Sequence, residues 1–505
     1  MKNLDRKYLI IILCILILST GLLLARANRE YLGNFGQRQA YNAWVVRNFV
    51  KEGINIFDAK IDRVDYYGKQ LSSFRDFPLV IPAVAFCCKT FGGSIEFWGR
   101  FGSILFYIGT FIVLFFWLKN YFDEKTLTFI LFIFAFFPMS VIYFQSFILE
   151  PSALFFFCLG MLCLERYFRG GQNAWLLITG SLLAGISFAS RIQYGILIIP
   201  FAYMFYKEWD IKALKDKRFY LAVGLALLIP FLWQLAAWNM ALAKETKSSL
   251  AVTLKTYPLF LDRIFLSREF YEKIFFNFAR VIFNPVGFLL VLLGLFTWRW
   301  EKKNLLFIAY LFSILLMVIL FPSKYFKHDF YFFPIVVPGS VLAGYFVAKI
   351  AKSMNIKYAA TVILLFFFLA SMRFSLHPAF KTPGWQDHFI AQAEVVKSAV
   401  PEDGKIAVIG AGATFLYYTD RQGITLPIDV ATASRKGSNY VYSEGRKPDD
   451  PTGILKHYES LGLRFIVEDK KVDKPAMDAD LEKYIQQNYK VVKSNDYITI
   501  YKRRT

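Results

Sequence analysis

The stretch YLIIILCILILSTGLLLA, residues 8–25, runs for eighteen positions without a charged side chain. A helix needs about 20 mostly apolar residues to cross the hydrocarbon core of a bilayer. A helix on the surface of a soluble domain keeps one polar face instead. The preceding MKNLDRK resembles the basic start of a signal peptide. The apolar run is long for that role and no small-residue cleavage site follows it, so an uncleaved first helix is expected. The rest of the 505-residue chain repeats the pattern, with 56% hydrophobic and 19% aromatic residues, above the roughly 45–50% apolar share of soluble proteins. About eleven apolar runs read as spans: 8–26, 100–118, 126–143, 151–165, 174–190, 193–206, 219–239, 285–298, 304–322, 331–348 and 358–373. The shorter run 78–91 is expected at the interface or dipping into it.

The net charge of +21 raises nucleic acid as a partner, but its distribution argues against one. From residue 375 onward nineteen Lys and Arg meet seventeen Asp and Glu, so the basic excess lies earlier, beside the apolar runs. With the N-terminus inside, segments 1–7, 119–125, 166–172, 207–218, 299–303 and 349–357 hold eighteen Lys and Arg, while the short outer turns 144–150, 191–192 and 323–330 hold three. That is the positive-inside asymmetry. It puts 27–99, 240–284 and everything after about 374 outside.

The expected fold is therefore a polytopic α-helical membrane protein with a small C-terminal α/β domain outside the membrane. Residues 1–374 form the transmembrane module, with exterior loops 27–99 and 240–284, and 375–505 form the extracytoplasmic domain. In that tail KIAVIG, RFIVED and YITIYK read as strands, DHFIAQAEVVKSAV and DADLEKYIQQNY as helices, and PEDG and KPDDPTG as turns between them. All five cysteines (Cys14, Cys87, Cys88, Cys158 and Cys163) precede the tail, so it needs no disulfide framework. Cys87 and Cys88 have no matching His or Cys cluster and read as small apolar fillers.

Candidate site residues gather at the outer ends of the spans. In the first loop, 37–52 is amphipathic and reads as a helix lying on the bilayer, and Asp58, Asp62 and Asp65 read as solvated charges. Glu150 opens a span directly before Pro151. It either complements the helix dipole or serves a site at membrane depth. Arg191 is the basic residue of its short outer turn, placed to snorkel or to meet a lipid phosphate. Lys324, Lys327, His328, Asp329 and Tyr331 crowd another outer turn. His328 alone would be an ordinary interfacial histidine, but with Lys324 and Tyr331 it makes a phosphate cradle. Loop 240–284 sets Lys244, Lys247, Lys255, Arg263, Arg268, Lys273 and Arg280 among aromatics, as an interfacial segment or a lid. In KIAVIGAGATF, Gly410 and Gly412 follow a strand, and Phe415 stands where a dinucleotide fingerprint needs a third glycine. A tight strand–helix turn is the better account. His377, His388 and His457 show no metal spacing.

The order of these features resembles the GT-C superfamily of membrane glycosyltransferases, near the protein O-mannosyltransferases and the lipid A aminoarabinose transferase. The resemblance rests on RQAYNAWVVRNFVKEG (38–53) in the first loop, RDFPL (75–79), GRFGSILF (99–106), FQSFILEPSALFFF (144–157), SRIQYGILIIP (190–200) and KYFKHDFYFFPIVVPGSVLAG (324–344). It covers residues 1 to about 375, and its strength lies in order and spacing rather than in any one motif. One departure stands out. Where many relatives place an acidic catalytic residue in the first loop, this chain has Arg38, Gln39, Tyr41 and Asn42. Asp76, in the RDFP segment, is the replacement that the resemblance offers.

The resemblance implies an inverting glycosyltransferase, hexosyl or pentosyl, that takes a sugar from a polyprenyl-phosphate donor to a lipid, glycan or protein acceptor on the outer face of the plasma membrane. Such a displacement needs one carboxylate as general base and cations where the phosphate leaves. Asp76 and Glu150 are the catalytic candidates. Arg191, Lys324, His328 and Tyr331 would bind the donor phosphate, and Arg38, Gln39 and Arg75 would line the site from the first loop. A divalent metal ion is left open, as are the sugar and the acceptor. Two other readings stand beside this one: a flippase for a lipid-linked saccharide, and a non-catalytic relative that binds lipid-linked sugar. A flippase calls for charges along the middle of the spans, and here they gather at the ends.

Overall fold

The computed structural model describes residues 5–33, 35–64, 67–72, 76–243, 263–353, 358–426, 451–471 and 479–504, with backbone alone at 241–243, 377–380 and 385. Two compact units divide the chain. One comprises Met1–Arg29, Phe74–Cys87 and Phe91–Phe380, the other Glu30–Ser73, Cys88–Thr90 and Lys381–Thr505.

The first unit is a bundle of apolar helices. Helix α1 (Arg6–Leu24) starts on Asp5, whose carboxylate accepts from the Lys7 amide at 3.0 Å. After α2 (Gly36–Glu52) of the second unit and α3 (Val80–Phe91), α4 (Ile95–Leu118) starts on Ser94, whose hydroxyl accepts from the Phe97 amide at 3.1 Å. These caps satisfy amides that a helix start leaves open. The run expected as one span over 126–143 is broken. It forms α5 (Glu124–Phe136) and α6 (Pro138–Tyr143), because Phe137, ahead of Pro138, takes an extended ψ of 136°. Helix α7 (Glu150–Arg169) is longer than the expected 151–165, and α8 (Ala174–Ser190) packs on it. A Cβ on Gly160 would lie 2.7 Å from the Gly180 carbonyl, so glycines set this close crossing. The short run 193–206 becomes a 3-10 turn at Ile192–Leu197 and then α9 (Ile198–Trp209), before α10 (Lys217–Ala243).

By length and composition six helices among the described residues are long and apolar enough to cross a membrane, or seven if a pair bent by 105° counts as one span. The bend lies between Arg268–Ile282 and Asn284–Phe296. At its corner Asn284 adopts φ +58° and is fully buried, donating to Ser371 Oγ at 2.7 Å and accepting from the Gly287 amide at 2.8 Å. Asn tolerates this left-handed conformation better than most residues. Val80–Phe91, Ala174–Ser190 and Leu305–Leu320 are shorter apolar helices.

Among the described residues the second unit is built on a seven-stranded sheet of β1 (Lys60–Val64), β2 (Gln70–Ser72), β3 (Lys405–Ile409), β4 (Gly423–Leu426), β5 (Leu463–Asp469), β6 (Tyr489–Ser494) and β7 (Ile498–Arg503), in the order β2-β1-β4-β3-β5-β7-β6. Strands β1, β4, β3 and β5 run parallel, and β2, β7 and β6 add antiparallel hairpins. First-loop residues thus share a sheet with the tail, and the division expected at 374/375 does not describe this unit. Helix α2 does not present its apolar face outward. Ala40, Ala43, Trp44 and Phe49 are buried, and Trp44 meets Tyr417 of the tail edge-on at 6.2 Å. Asp62 is not a solvated charge either: it is 6% exposed, pairs with Arg47 and accepts from Asn48 at 3.1 Å and Gln70 at 3.0 Å. Asp58 accepts from Ser72 at 2.8 Å, and Asp65 lies outside the described residues. Gly410 (φ +89°) makes the turn between β3 and the helix Ala413–Thr419, as the glycine spacing predicts.

Candidate active site

Three breaks in helical structure bring the site of the first unit together. Helix α8 stops at Ser190, and Arg191 is extended (φ −147°, ψ 107°) before the 3-10 turn begins. An extended residue between two helical segments points its side chain away from the neighbours' helical rows. The Phe77 amide donates to the Ala189 carbonyl at 3.2 Å, which pins the 76–79 segment to the end of α8. Glu150 is the first residue of α7 and 1% exposed.

Those placements converge on one guanidinium. Arg191 Nη1 donates to Asp76 Oδ2 at 2.7 Å, and Nη2 donates to Glu150 Oε1. The Arg191 side chain is 3% exposed and that of Asp76 15%. Among the described residues Glu150 Oε2 has no hydrogen-bond partner, although it is buried. The Tyr194 hydroxyl lies 3.5 Å from the Glu150 carbonyl. A buried carboxylate with an unused oxygen is costly unless a ligand uses it.

The second cluster comes from the short helix Pro322–Lys327 and the 3-10 turn Asp329–Ile335, with His328 extended between them. The Lys324 ammonium lies 4.9 Å from the centre of the Tyr331 ring and is almost fully buried. The His328 ring stacks on Phe330 at 5.1 Å and meets Tyr331 edge-on at 5.8 Å. Phe330 joins the clusters, its ring centre 5.8 Å from Arg191 Cζ. Asp76, Glu150, Arg191, Lys324, His328 and Tyr331 are therefore brought into one neighbourhood from four separate stretches of chain.

Of the first-loop candidates, Arg38 and Gln39 lie on α2 in the second unit, Gln39 buried and Arg38 half-buried. Arg75 lies outside the described residues. Tyr41, at the place of the missing acid, accepts from Arg63 at 2.6 Å and packs edge-on against Trp44 at 5.2 Å. In loop 240–284, Lys244, Lys247 and Lys255 lie outside the described residues. Lys273 stands 5.2 Å over the Phe326 ring, beside the Lys324 turn.

Sequence reasoning missed Tyr143 as a neighbour of the site and saw Asp329 without its partner. The Tyr143 hydroxyl faces the Asp329 carboxylate and lies within electrostatic reach of Glu150. Nothing marks Tyr143 out in an aromatic run, whereas Asp329 was visible beside His328 and lacked only a partner to give it meaning.

The donor set is a poor nest for a resident divalent ion. Among the described residues no three His, Cys, Asp or Glu side chains gather to hold one.

Residues 76–235 match the family model described as dolichyl-phosphate-mannose-protein mannosyltransferase. No curated protein sequence matches the chain. Among solved structures, ArnT from Cupriavidus metallidurans bound to undecaprenyl phosphate aligns at TM-score 0.62 and 11% identity over 97% of each chain. The Archaeoglobus fulgidus oligosaccharyltransferase tethered to an acceptor peptide aligns at 0.56 and 11%, over 92% of this chain and 69% of that one. The mycobacterial arabinofuranosyltransferase AftD aligns at 0.59 and 12%, over all of this chain and 40% of its own. The fold is similar to that of these membrane glycosyltransferases. The chain is a mostly helical polytopic membrane protein similar in fold to membrane-bound glycosyltransferases.

Proposed function

We propose that this protein is an integral-membrane glycosyltransferase that moves a sugar from a polyprenyl-phosphate carrier to a lipid, glycan or protein acceptor. The observation that carries the reading is the meeting of Asp76, Glu150 and Arg191 beside the Lys324–His328–Tyr331 turn, inside a GT-C fold. The acceptor hydroxyl attacks the anomeric carbon and gives its proton to Asp76. The bond from that carbon to the phosphate oxygen breaks, and its electron pair leaves with the polyprenyl phosphate. A single displacement inverts the anomeric centre. Asp76 suits the base because it is the more accessible of the two carboxylates. Lys324, His328 and Tyr331 form the wall that meets charge growing on the phosphate. Arg191, read from the sequence with them, stands behind the Phe330 ring.

The positive-inside asymmetry supports a cytoplasmic N-terminus in the plasma membrane, with the site and residues 375–505 on the outer face. It also supports crossings by helices shorter than a full span, toward the eleven of the hydropathy reading. The test is to incubate the purified chain with radiolabelled polyprenyl-phosphate sugars and candidate acceptors, wild type against Asp76→Asn. Label should pass to acceptor with wild type and be nearly lost with the variant. Full-rate transfer by D76N removes Asp76 from the chemistry. Labelled lipid crossing between leaflets without transfer replaces the enzyme with a flippase.

A further inference from the structure

A guanidinium meant for a substrate phosphate turns its N–H groups toward the place that phosphate will occupy. Arg191 instead commits both terminal nitrogens to carboxylates, one to Asp76 and one to Glu150, and its buried Nε has no hydrogen-bond partner among the described residues. Its main chain is held by the amide bond to the Ser187 carbonyl at 3.2 Å, and its side chain is sealed from solvent. We propose that Arg191 is a positioning residue, which keeps Asp76 and Glu150 both ionised and aimed by standing between them, and that it is not a ligand of the donor's phosphate.

The physical case is one of like charges. Two carboxylates that share a site without a counter-ion cannot both stay ionised, and one of them takes up a proton. A base that is already protonated cannot accept the proton of an attacking hydroxyl. One arginine between the two leaves the trio at a net charge of −1 with both acids available, and its planar fork fixes both directions at once. The tyrosines facing the trio cannot do this. Tyr331 from the turn before Val336, Tyr194 from the turn after α8 and Tyr143 from α6 lie within electrostatic reach of it, and tyrosines are uncharged near neutral pH. The Lys324 ammonium is stationed over the Tyr331 ring. The clamp also leaves Glu150 Oε2 open, an acceptor for a sugar or acceptor hydroxyl.

This inference rests on the glycosyltransferase reading, yet its tests separate from it. The full chain in nanodiscs is compared as wild type, Arg191→Gln, Glu150→Gln and the double variant R191Q/E150Q. The double variant keeps the trio at −1, so it should recover most of the stability that R191Q loses. The loss in R191Q should grow as pH rises from about 4.5 to 8, because both acids then need to ionise. Undecaprenyl phosphate without sugar is the binding probe, and the double variant should hold it within about threefold of E150Q. In the transfer assay R191Q should lose kcat with little change in KM for the donor. The acid limb of its pH profile should move up by about one unit or more.

Three results overturn the proposal. The first is undecaprenyl phosphate binding about tenfold or more weaker in the double variant than in E150Q, the mark of a phosphate ligand. The second is a stability loss in R191Q that is the same at both pH values. The third is a double variant as unstable as R191Q. The stability arms read out even if no donor sugar is ever transferred, so failure of the wider functional reading remains distinct.

Discussion

Helix α7 carries a buried glutamate near each end, and the two are treated differently. Glu165 has both oxygens used: Oε1 accepts from Arg169, and Oε2 accepts from the Tyr121 hydroxyl and from Lys207 at 3.0 Å. Glu150 has one oxygen on Arg191, which it shares with Asp76, and the other without a partner among the described residues. Both are 1% exposed. A saturated buried charge ties its helices together, here α7 to α9 and to the end of α4. An undersatisfied one waits for something. Burial alone does not tell a brace from a site, whereas counting the lone pairs does.

That contrast can be broken or sharpened by substitution. The largest effect is expected from Asp76→Asn, with transfer falling by about 10²–10⁴-fold while the melting temperature stays near that of wild type. Activity and a thermal scan on one preparation decide it. Lys324→Ala should come next, weakening undecaprenyl phosphate binding by about ten- to a hundredfold, the worth of a charge-assisted hydrogen bond. Glu165→Gln should cost about 1–3 kcal/mol of stability yet leave transfer per folded molecule unchanged. If it abolishes turnover in folded protein, the two ends of α7 are not different in kind. Arg169→Ala should do least, about 0.2–1 kcal/mol. Its side chain is half exposed, and Glu165 keeps Lys207 and Tyr121.

Several of the candidate site residues could be picked out because a charge at the lip of an apolar run needs a reason. Glu150, Arg191, Lys324 and His328 all stand out that way, and the structure gathers them. Asp76 needed a family's pattern as well. The partner of each charge was not legible. Arg191 lies 115 residues from Asp76 and 41 from Glu150, and no local periodicity encodes such a pairing. The strands KIAVIG, RFIVED and YITIYK were visible as short β-branched runs, and β5 and β7 cover the latter two closely. Strand β4 is four residues, too short to carry a pattern, and β6 exposes all but its first residue. The amphipathic helix 37–52 was placed correctly in sequence but given the wrong partner. An apolar face reads the same whether lipid or protein covers it, and here Tyr417 does.

Strand β1 reaches its partner β4 through the single register point Arg63↔Gly423. A ribosome delivers residue 63 long before residue 423, and the bundle helices are threaded into the bilayer in between. Through that interval the β1–β2 hairpin has an open edge and no mate. Such an orphaned edge invites aggregation or a chaperone. A cell making this chain would therefore have to shelter this segment until residue 423 has been made, and a truncation ahead of residue 423 would leave it permanently unprotected.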